Sequence, residues 1–164
     1  MNNTTFLFLF ALLAANSYAN EPDYSQPIAV TSENNETSIK ENVSVYMDNV
    51  EVSQGSLNIK ADRLEINASA GKGNEIFLAK GSPVQYSQLL DGAKPVTATA
   101  AEIRYDRASR TLTLSGNASL TQSGSQVEAA VIRYNIETQQ ISAESGEQKK
   151  RVTTIFTPQT KENQ

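Results

Sequence analysis

The sequence predicts an all-β protein built from many short antiparallel strands, and three observations support this fold class. Apolar and polar residues alternate with a period of two along most of the chain, which places successive side chains on opposite faces of a sheet. After residue 19, no apolar pattern with a helical period is longer than about two turns. Turn-forming residues interrupt the alternation every several residues, which is typical of an all-β fold.

The first segment of the chain is predicted to be an export signal rather than part of the fold. Residues 6–15 form an uninterrupted apolar run that is too short to cross a bilayer comfortably. Ser17 and Ala19 then supply the small residues of an A-x-A-like cleavage site. We therefore expect a secretory signal peptide at 1–19, a folded domain at 20–158 and a flexible C-terminal tail at 159–164.

The strands that follow are predicted from pairs of apolar residues spaced by two. The apolar members of these pairs include Ile28, Val30, Val50, Val52, Leu57, Ile59, Leu64, Ile66, Tyr86, Ile103, Tyr105, Leu112, Leu114, Leu120, Ile132 and Tyr134. Turn residues separate the pairs at Asn49, Gly55, 70–74, 81–83, 91–95, 115–117 and 145–146. For any single apolar residue, a plain hydrophobic core is the simpler interpretation. Taken together, a single layer with few apolar residues for its length favours a trough over a filled interior.

The chain repeats its strand pattern internally. Residues 48–67, moved down the chain by 68 positions, align with residues 116–135, and the apolar positions of the two segments coincide. Residues 100–114 align with residues 129–143 at a shift of 29 positions, and residues 61–66 form a weaker third copy. Units that cannot bury an apolar face alone bury a continuous one by stacking. A stack has two ends, so we expect an unpaired strand edge at each end.

The two predicted edge strands lie near the ends of the domain. The N-terminal edge contains Ile28 and Val30, and the C-terminal edge contains Val152, Thr153, Thr154, Ile155 and Phe156. Residues 149–151 place a cluster of positive charges just before the second edge. This cluster either discourages aggregation or helps to set the register of a strand that pairs with the edge.

The composition argues against an enzyme or a metal site. The chain has no cysteine and no histidine, which removes the usual nucleophile–base pairs and the common transition-metal ligands. The conceivable carboxylate pairs, Asp48 with Glu51 and Asp62 with Glu65, lie on alternating strands where charged residues are expected to face solvent. The net charge of −4 disfavours a nucleic-acid partner. We therefore expect no catalytic residue, no metal and no cofactor.

Several stretches of the sequence resemble one family. They are QPIAVTSEN at 26–34, DNVEVSQGSLNIKADRLEI at 48–66, GAKPVTA at 92–98, TLSGNASLTQ at 113–122 and KRVTTIFTP at 150–158. Together, and in this order, they are similar to the OstA-like family of periplasmic lipopolysaccharide-transport proteins of Gram-negative bacteria. The NVxVxQGxLxIxAD pattern that starts at Asn49 carries most of the specificity of this resemblance.

The resemblance implies a fold that the periodicity alone does not show. This fold is a twisted, half-open β-jellyroll of many antiparallel strands with a V-shaped section and an apolar interior. The resemblance also implies that the apolar residues named above bind the acyl chains of lipopolysaccharide while its sugars stay in water. Ile28 and Val30 match an apolar pair at the trough entrance, and Tyr86 and Tyr105 match aromatic positions of the family. Arg107 stands where the family commonly has an apolar residue.

The resemblance further implies a location and a set of partners. Lipopolysaccharide is expected to cross the periplasm from the inner to the outer membrane along copies joined head to tail through their end strands. The N-terminal edge is expected to meet an LptC-like inner-membrane protein. The C-terminal edge is expected to meet an LptD-like outer-membrane protein.

Two other functions are compatible with parts of this pattern. A secreted β-stack could polymerise through its edges as a structural filament without lipid cargo, and its interior would then be tightly filled. An enzyme on a β-solenoid, such as a polysaccharide hydrolase, would need a carboxylate pair on one face, which the sequence does not display.

Overall fold

One antiparallel sheet accounts for nearly all of the described structure. The computed structural model describes residues 22–90, 94–146 and 151–157, so the predicted signal peptide and C-terminal tail lie outside the described residues. A short 3-10 helix, Asp23–Ser25, is followed by β1 (Ala29–Thr31), β2 (Asn34–Ser38), β3 (Val43–Gln54), β4 (Leu57–Asn67), β5 (Ile76–Leu90), β6 (Lys94–Asp106), β7 (Thr111–Gln122), β8 (Ser125–Asn135), β9 (Gln140–Glu144) and β10 (Thr153–Ile155). The predicted all-β fold class is confirmed. Over these residues, no helix is long and apolar enough to cross a membrane.

The sheet follows the order of the chain through its centre and is split at both edges. Strands β3 to β8 each pair with the next strand in sequence, as successive hairpins. Gly55, whose φ is 58°, supports the tight turn from β3 to β4 because glycine adopts positive φ without strain. At the N-terminal edge β1 and β2 both pair with β3, and at the C-terminal edge β9 and β10 both pair with β8. Each edge therefore consists of two short strands rather than one.

A line of bulges creases the sheet across the middle of its long strands. The pairing register shifts at Met47/Val50, Lys60/Arg63, Lys80/Val84, Thr99/Glu102 and Ser115/Ala118, once in each interface between β3 and β8. Asn49 and Gly116 have positive φ at two of these bulges, and bulges bend the strand that contains them. The crease divides the sheet into two arms. The first arm contains 43–47, 63–67, 76–80, 102–106, 111–115 and 131–135 with β2 and β9, and the second contains 50–54, 57–61, 84–90, 94–100, 118–122 and 125–129 with β1 and β10.

The crease lies at three positions where the sequence predicts turns. Asn49, residues 81–83 and residues 115–117 form bulges inside strands that continue beyond them, so β5 alone spans 15 residues. The strands are therefore longer than the sequence predicts. Turns and bulges both favour residues that adopt positive φ, so the same residue types signal either feature. The predicted turns at Gly55 and 70–74 are confirmed, since each lies between two paired strands.

The internal repeat corresponds to structural units built more than once. The shift of 68 positions maps the bulge between Met47 and Val50 onto the bulge between Ser115 and Ala118. The shift of 29 positions maps the pairing of β6 with β7 in the first arm onto the pairing of β8 with β9. Each copy therefore contains the part of a hairpin that lies on one side of the crease, together with the crease residues next to it. Neighbouring copies share such parts, which explains why the repeats overlap in sequence.

The apolar faces of the two arms pack against each other. Among the described residues, twenty hydrophobic side chains are buried, and they form one cluster that draws on both arms. Leu64 and Leu114 of the first arm and Val84 and Val96 of the second arm have no exposed surface. Burying a side chain of this size contributes roughly 1.5–3 kcal/mol. A flat sheet could not cover its own face in this way, so the crease folds the sheet onto itself as a V.

Gly116 provides a test of how tightly the crease is built. A Cβ at Gly116 would lie 2.8 Å from the Ala101 Cβ, and its φ is 82°, so Gly116→Ala combines a steric overlap with backbone strain. Gly71 has a φ of 90° with no atom within 4 Å of an added Cβ, so Gly71→Ala introduces backbone strain alone. We expect Gly71→Ala to lower the free energy of unfolding by about 1–2 kcal/mol and Gly116→Ala by about 1–3 kcal/mol more. Urea denaturation measures both, and equal losses would contradict a tightly packed crease.

Candidate functional site

The predicted lipid-facing residues all lie on the inner face of the folded sheet. Twelve of the sixteen are buried in the core, and the other four, Ile28, Val30, Ile66 and Tyr105, are half-buried against it. The structure therefore brings the predicted residues together in one cluster. The interior differs from the predicted open trough, because side chains of the two arms fill the space between them. The composition could not show this, since it does not reveal that a single sheet folds onto itself.

The predicted edge residues lie at the two ends of the second arm. Val30 lies in β1 with Ile28 just before it, and Thr153, Thr154 and Ile155 form β10 with Val152 and Phe156 on either side. Residues 151–157 are all exposed, and Phe156 is 77% exposed. Arg151 is the member of the predicted basic cluster that lies within the described residues. Sequence reasoning missed β2 as a second edge strand and did not place β9 at the C-terminal edge.

A large open space lies where the tips of the two arms approach each other, a region that we call the mouth. A cavity of about 770 Å³ is bounded there by the tip of the second arm, which includes residues 54–57 and 88–90. The tip of the first arm supplies Arg110, Ile136, Glu137 and Gln139 to the same cavity. A neighbouring cavity of about 260 Å³ is lined by Ile28, Tyr105, Arg107 and Arg110, among others. The mouth is thus more polar than the interior behind it.

A short N-terminal segment, residues 22–26, lies across the mouth, and we call it the strap. Its Asp23 carboxylate accepts three hydrogen bonds from the second arm. The Ser56 N–H donates to Oδ1 at 2.8 Å, the Ser56 hydroxyl donates to Oδ2 at 2.6 Å, and the Gln88 amide donates to Oδ2 at 2.7 Å. Gly55 permits this approach, because a Cβ there would overlap the Asp23 carboxylate. The strap is therefore fixed to the tip of the second arm.

The strap also reaches the first arm. The ring of Tyr24 lies under the guanidinium of Arg110, with 4.5 Å between the guanidinium carbon and the ring centroid. The same Arg110 pairs with Glu137 at 3.1 Å. A cation over an aromatic face is worth about 0.5–1 kcal/mol at an exposed site. The strap thus joins the tips of both arms.

Two glutamines at the inner side of the mouth hold the strap. Gln54 and Gln88 are the buried polar residues among the described parts of the chain, each 8% exposed. Gln54 donates to the backbone carbonyl oxygens of Gln26 at 2.9 Å and Tyr24 at 3.3 Å, while Gln88 donates to Asp23. A buried amide without a partner is costly. The strap therefore satisfies both amides.

One of two buried tyrosines continues the polar network from the mouth into the interior. The Tyr86 hydroxyl donates a hydrogen bond to Oε1 of Gln88. Burial, together with the nearby Tyr134, Tyr105 and Asp23, raises the pKa of Tyr86 well above its ordinary value. Within the described residues, the buried Tyr134 hydroxyl has no hydrogen-bond partner, and burial raises the pKa of Tyr134. These phenols therefore stay protonated and uncharged at the inner side of the mouth.

The charge on Asp23 is stabilised where it lies. Partial burial raises the pKa of Asp23. The hydrogen bonds from the Ser56 hydroxyl, the Ser56 N–H and Gln88 lower it by more than burial raises it, so the pKa lies below its ordinary value of 3.8.

An ion pair lies near the neighbouring cavity, where Arg107 pairs with Glu75 at 3.1 Å. For Glu75, burial raises the pKa, but backbone hydrogen bonds and Arg107 lower it, and the pKa lies below its ordinary value.

The residues at the mouth are those that sequence reasoning missed. The sequence did contain a signal, because Gln54 continues the inward positions of Val50 and Val52, and Gln88 continues those of Val84 and Tyr86. A polar residue at an inward-facing position marks a place where something polar must meet the interior. The partner could not be predicted, since Asp23 is 65 residues away from Gln88 in sequence.

The carboxylate pairs considered in the sequence lie on the surface. Glu51 pairs with Lys60 at 3.1 Å and Glu65 lies 3.9 Å from Arg63, while Asp48 and Asp62 are exposed. Exposed ion pairs of this kind contribute about 0–1 kcal/mol. Among the residues the structure describes, no group of His, Cys, Asp and Glu side chains is arranged to hold a metal ion.

Comparison with known proteins identifies similar sequences over almost the whole chain. Residues 29–140 match the family described as LptA/(LptD N-terminal domain) LPS transport protein. Lipopolysaccharide export system protein LptA of Haemophilus influenzae is 37% identical over 159 residues, which cover 96% of this chain and 92% of that protein. The LptA of Escherichia coli K12 is 34% identical over 151 residues, covering 90% and 81% of the two chains.

A solved structure shows the same architecture. The crystal structure of LptH from Pseudomonas aeruginosa, described as the LptA homologous periplasmic component of the lipopolysaccharide transport device, matches with a TM-score of 0.76 and 25% identity. The match covers 83% of this chain and 99% of that chain. The open, creased sheet therefore has the fold that the sequence resemblance implies.

The strap provides a pH-dependent test of the mouth. Because the pKa of Asp23 is lowered in the folded protein, its carboxylate stabilises the fold above the ordinary value of 3.8, and this stabilisation is lost as the pH falls through the lowered value. We expect Asp23→Asn to lower the free energy of unfolding at pH 7 by about 1 kcal/mol, since solvent partly screens the group. Urea denaturation at pH 7 and at a series of acidic pH values measures the difference, which should shrink as the carboxylate becomes protonated. A deficit that stays constant until the wild-type protein itself unfolds would contradict the role of the charge.

Proposed function

Because this chain belongs to the LptA/(LptD N-terminal domain) family of lipopolysaccharide transport proteins, we propose that it carries lipopolysaccharide through the periplasm with the acyl chains between its two arms. The observation that carries this proposal is the single apolar cluster, which runs across both arms from the N-terminal edge at β1 and β3 to the C-terminal edge at β8 and β9. The predicted export signal and the periplasmic description of LptH support the location.

The physical requirement for such a protein is large. Each methylene group moved from water to an apolar site contributes about 0.8 kcal/mol, so an acyl chain of roughly a dozen carbons would cost on the order of 10 kcal/mol to expose to water. Lipopolysaccharide carries several such chains. A protein that only shields these chains needs no catalytic residue, and the relatives are named for export rather than for a reaction.

Loading requires the two arms to separate, because the interior is filled in the described structure. The apolar residues that now contact each other would then contact acyl chains, and the sugars would remain outside the mouth. Val30 and Tyr105 are suited to a first contact, since both are half-buried at the border of the cluster. The residues proposed to bind lipid are those of the predicted apolar face.

The two split edges are proposed to join copies and partners. The exposed β10, with Ile155 51% exposed, leaves backbone groups free for another strand, as does β1 at the opposite end. A contact between two different edges makes open chains rather than closed dimers. We assign the N-terminal edge to an LptC-like inner-membrane protein or to another copy, and the C-terminal edge to another copy or an LptD-like outer-membrane protein.

A filament without lipid cargo is the alternative that the filled interior favours. It would share the same edges and the same sheet but would never open. Mass spectrometry of the protein purified from a Gram-negative host distinguishes the two functions. Lipopolysaccharide that co-purifies supports transport, whereas ordered filaments without lipid support the alternative.

Photocrosslinking in cells tests the interior as the lipid site. A photoreactive residue at Val30 or Tyr105, whose side chains pack against the apolar cluster, should crosslink to lipopolysaccharide. The neighbours Thr31 and Arg104 are the matched controls, because successive residues of a strand face opposite sides of the sheet. We expect at least a several-fold stronger lipid crosslink at the first pair. Equal labelling of both pairs would contradict lipid binding between the arms.

Truncation tests the C-terminal edge. Deleting residues 152–164 removes β10, which pairs with no described strand other than β8, so the other strands should remain folded. We expect this protein to lose concentration-dependent oligomers in light scattering while its circular dichroism spectrum stays β-rich. The control is a deletion of residues 158–164, which keeps β10 and should still oligomerise. A folded protein that lacks β10 and oligomerises normally would show that the edge assignment is wrong.

A further inference from the structure

We infer that the donors that hold Asp23 at the mouth form a subsite for the phosphate group of an acylated, phosphorylated sugar, and that Asp23 occupies this subsite while the protein is empty. The donors are the Ser56 N–H, the Ser56 hydroxyl and the Gln88 amide. This inference rests on the proposed function and adds to it the group by which the cargo is recognised.

The geometry is that of an anion site filled from within the chain. Three donors from two different hairpins converge on the two oxygens of one carboxylate, at 2.6–2.8 Å. The Leu89 N–H donates to the Ser56 hydroxyl oxygen at 3.0 Å, which orients the hydroxyl and ties the two hairpins together. Backbone N–H groups at turns, supported by hydroxyl and amide donors, bind carboxylate and phosphate oxygens alike.

The amide of Gln88 is positioned for this purpose by the interior. The Tyr86 hydroxyl donates to Oε1 of Gln88, which leaves the NH₂ group of Gln88 directed at the mouth. Gln88 is buried beneath the strap, so its NH₂ group requires an acceptor when a ligand takes the place of the strap and excludes water. A ligand that displaces the strap must therefore bring an acceptor of its own, and a bare hydrocarbon chain cannot do so.

The position of the subsite matches the place where a head group would lie. It borders the cavity of about 770 Å³ and lies at the end of the apolar cluster, since Leu57 lines the cavity next to Ser56. Acyl chains held between the arms would place the sugar that carries them at this end. Displacing the strap also uncovers Arg110, which now lies over Tyr24.

Directed donors rather than net charge provide the selectivity of the subsite. Arg110 and Arg107 are balanced by Glu137 and Glu75, each pair at 3.1 Å. Without Asp23 the mouth would hold two cations and two anions, so long-range attraction contributes little. The subsite should therefore distinguish a phosphorylated lipid from an otherwise identical lipid without phosphate.

Comparing the two lipids in wild-type protein and Asp23→Ala tests the inference. We expect Asp23→Ala to bind a phosphorylated, multiply acylated glucosamine disaccharide about tenfold more tightly than wild type, because removing a competing conformer raises apparent affinity. Its affinity for the same lipid after removal of the phosphates should not change. The matched control is Glu51→Ala, which removes an exposed carboxylate that pairs with Lys60 at 3.1 Å outside the mouth and should alter neither affinity.

A second variant keeps the test valid if Asp23→Ala folds poorly. In Tyr24→Ala, the strap loses its contact with the Arg110 guanidinium while all three donors remain, so the strap is displaced more easily. We expect a smaller gain in the same direction, for the phosphorylated lipid alone. Inorganic phosphate at millimolar concentration should not raise the melting temperature of either variant.

Each contrary result overturns a defined part of the inference. Equal tightening for both lipids would show that the strap only obstructs the mouth, and no tightening would show that Asp23 does not compete. A stabilisation by inorganic phosphate as large as that by the lipid would assign the donors to free phosphate. Failure of every protein to bind either lipid would overturn the proposed function itself, and this subsite with it.

Discussion

The contact between the apolar faces of the two arms is the interaction on which the rest of the structure depends. A single sheet with one apolar face has nothing to cover that face unless it folds onto itself or binds a partner. Here the five register shifts align across the sheet, so that the inward residues of both arms meet. The mouth exists because the arms, joined along the crease, leave open space between their tips, and the strap is needed because that space exposes polar groups.

Much of this architecture was predictable from the alternation of residues, and some of it was not. Pairs such as Leu112 and Leu114 indicated which residues of each strand face inward. With a period of two, either the odd or the even positions face the interior, and one of these choices exposes every leucine of the strand. The crease was not predictable, since Asn49 and residues 115–117 carry the composition of a turn. Whether a strand continues beyond such residues depends on its neighbours in the sheet, which lie far away in sequence.

The mouth shows the same division between local and distant information. The alternation along β3 and β5 places Gln54 and Gln88 on the inner face. Two buried amides at one end of the interior indicate that hydrogen-bond partners must be present there. The strap that meets this requirement is separated from Ser56 by 33 residues and is joined through side chains rather than through a strand. The filling of the interior was equally hidden, because the distance between the arms depends on the crease angle.

The alignment of the bulges has a mechanical consequence. Regular pairing is already interrupted along one line, so a change in the angle between the arms leaves the hydrogen-bonded ladder on either side unaltered. Each arm is therefore expected to move as a rigid unit, and the angle between the two arms is expected to change about the crease. The resistance to opening comes from side-chain packing, which an inserted hydrocarbon can replace contact for contact. Opening of the arms, as proposed for lipid loading, would therefore leave the strands of each arm intact.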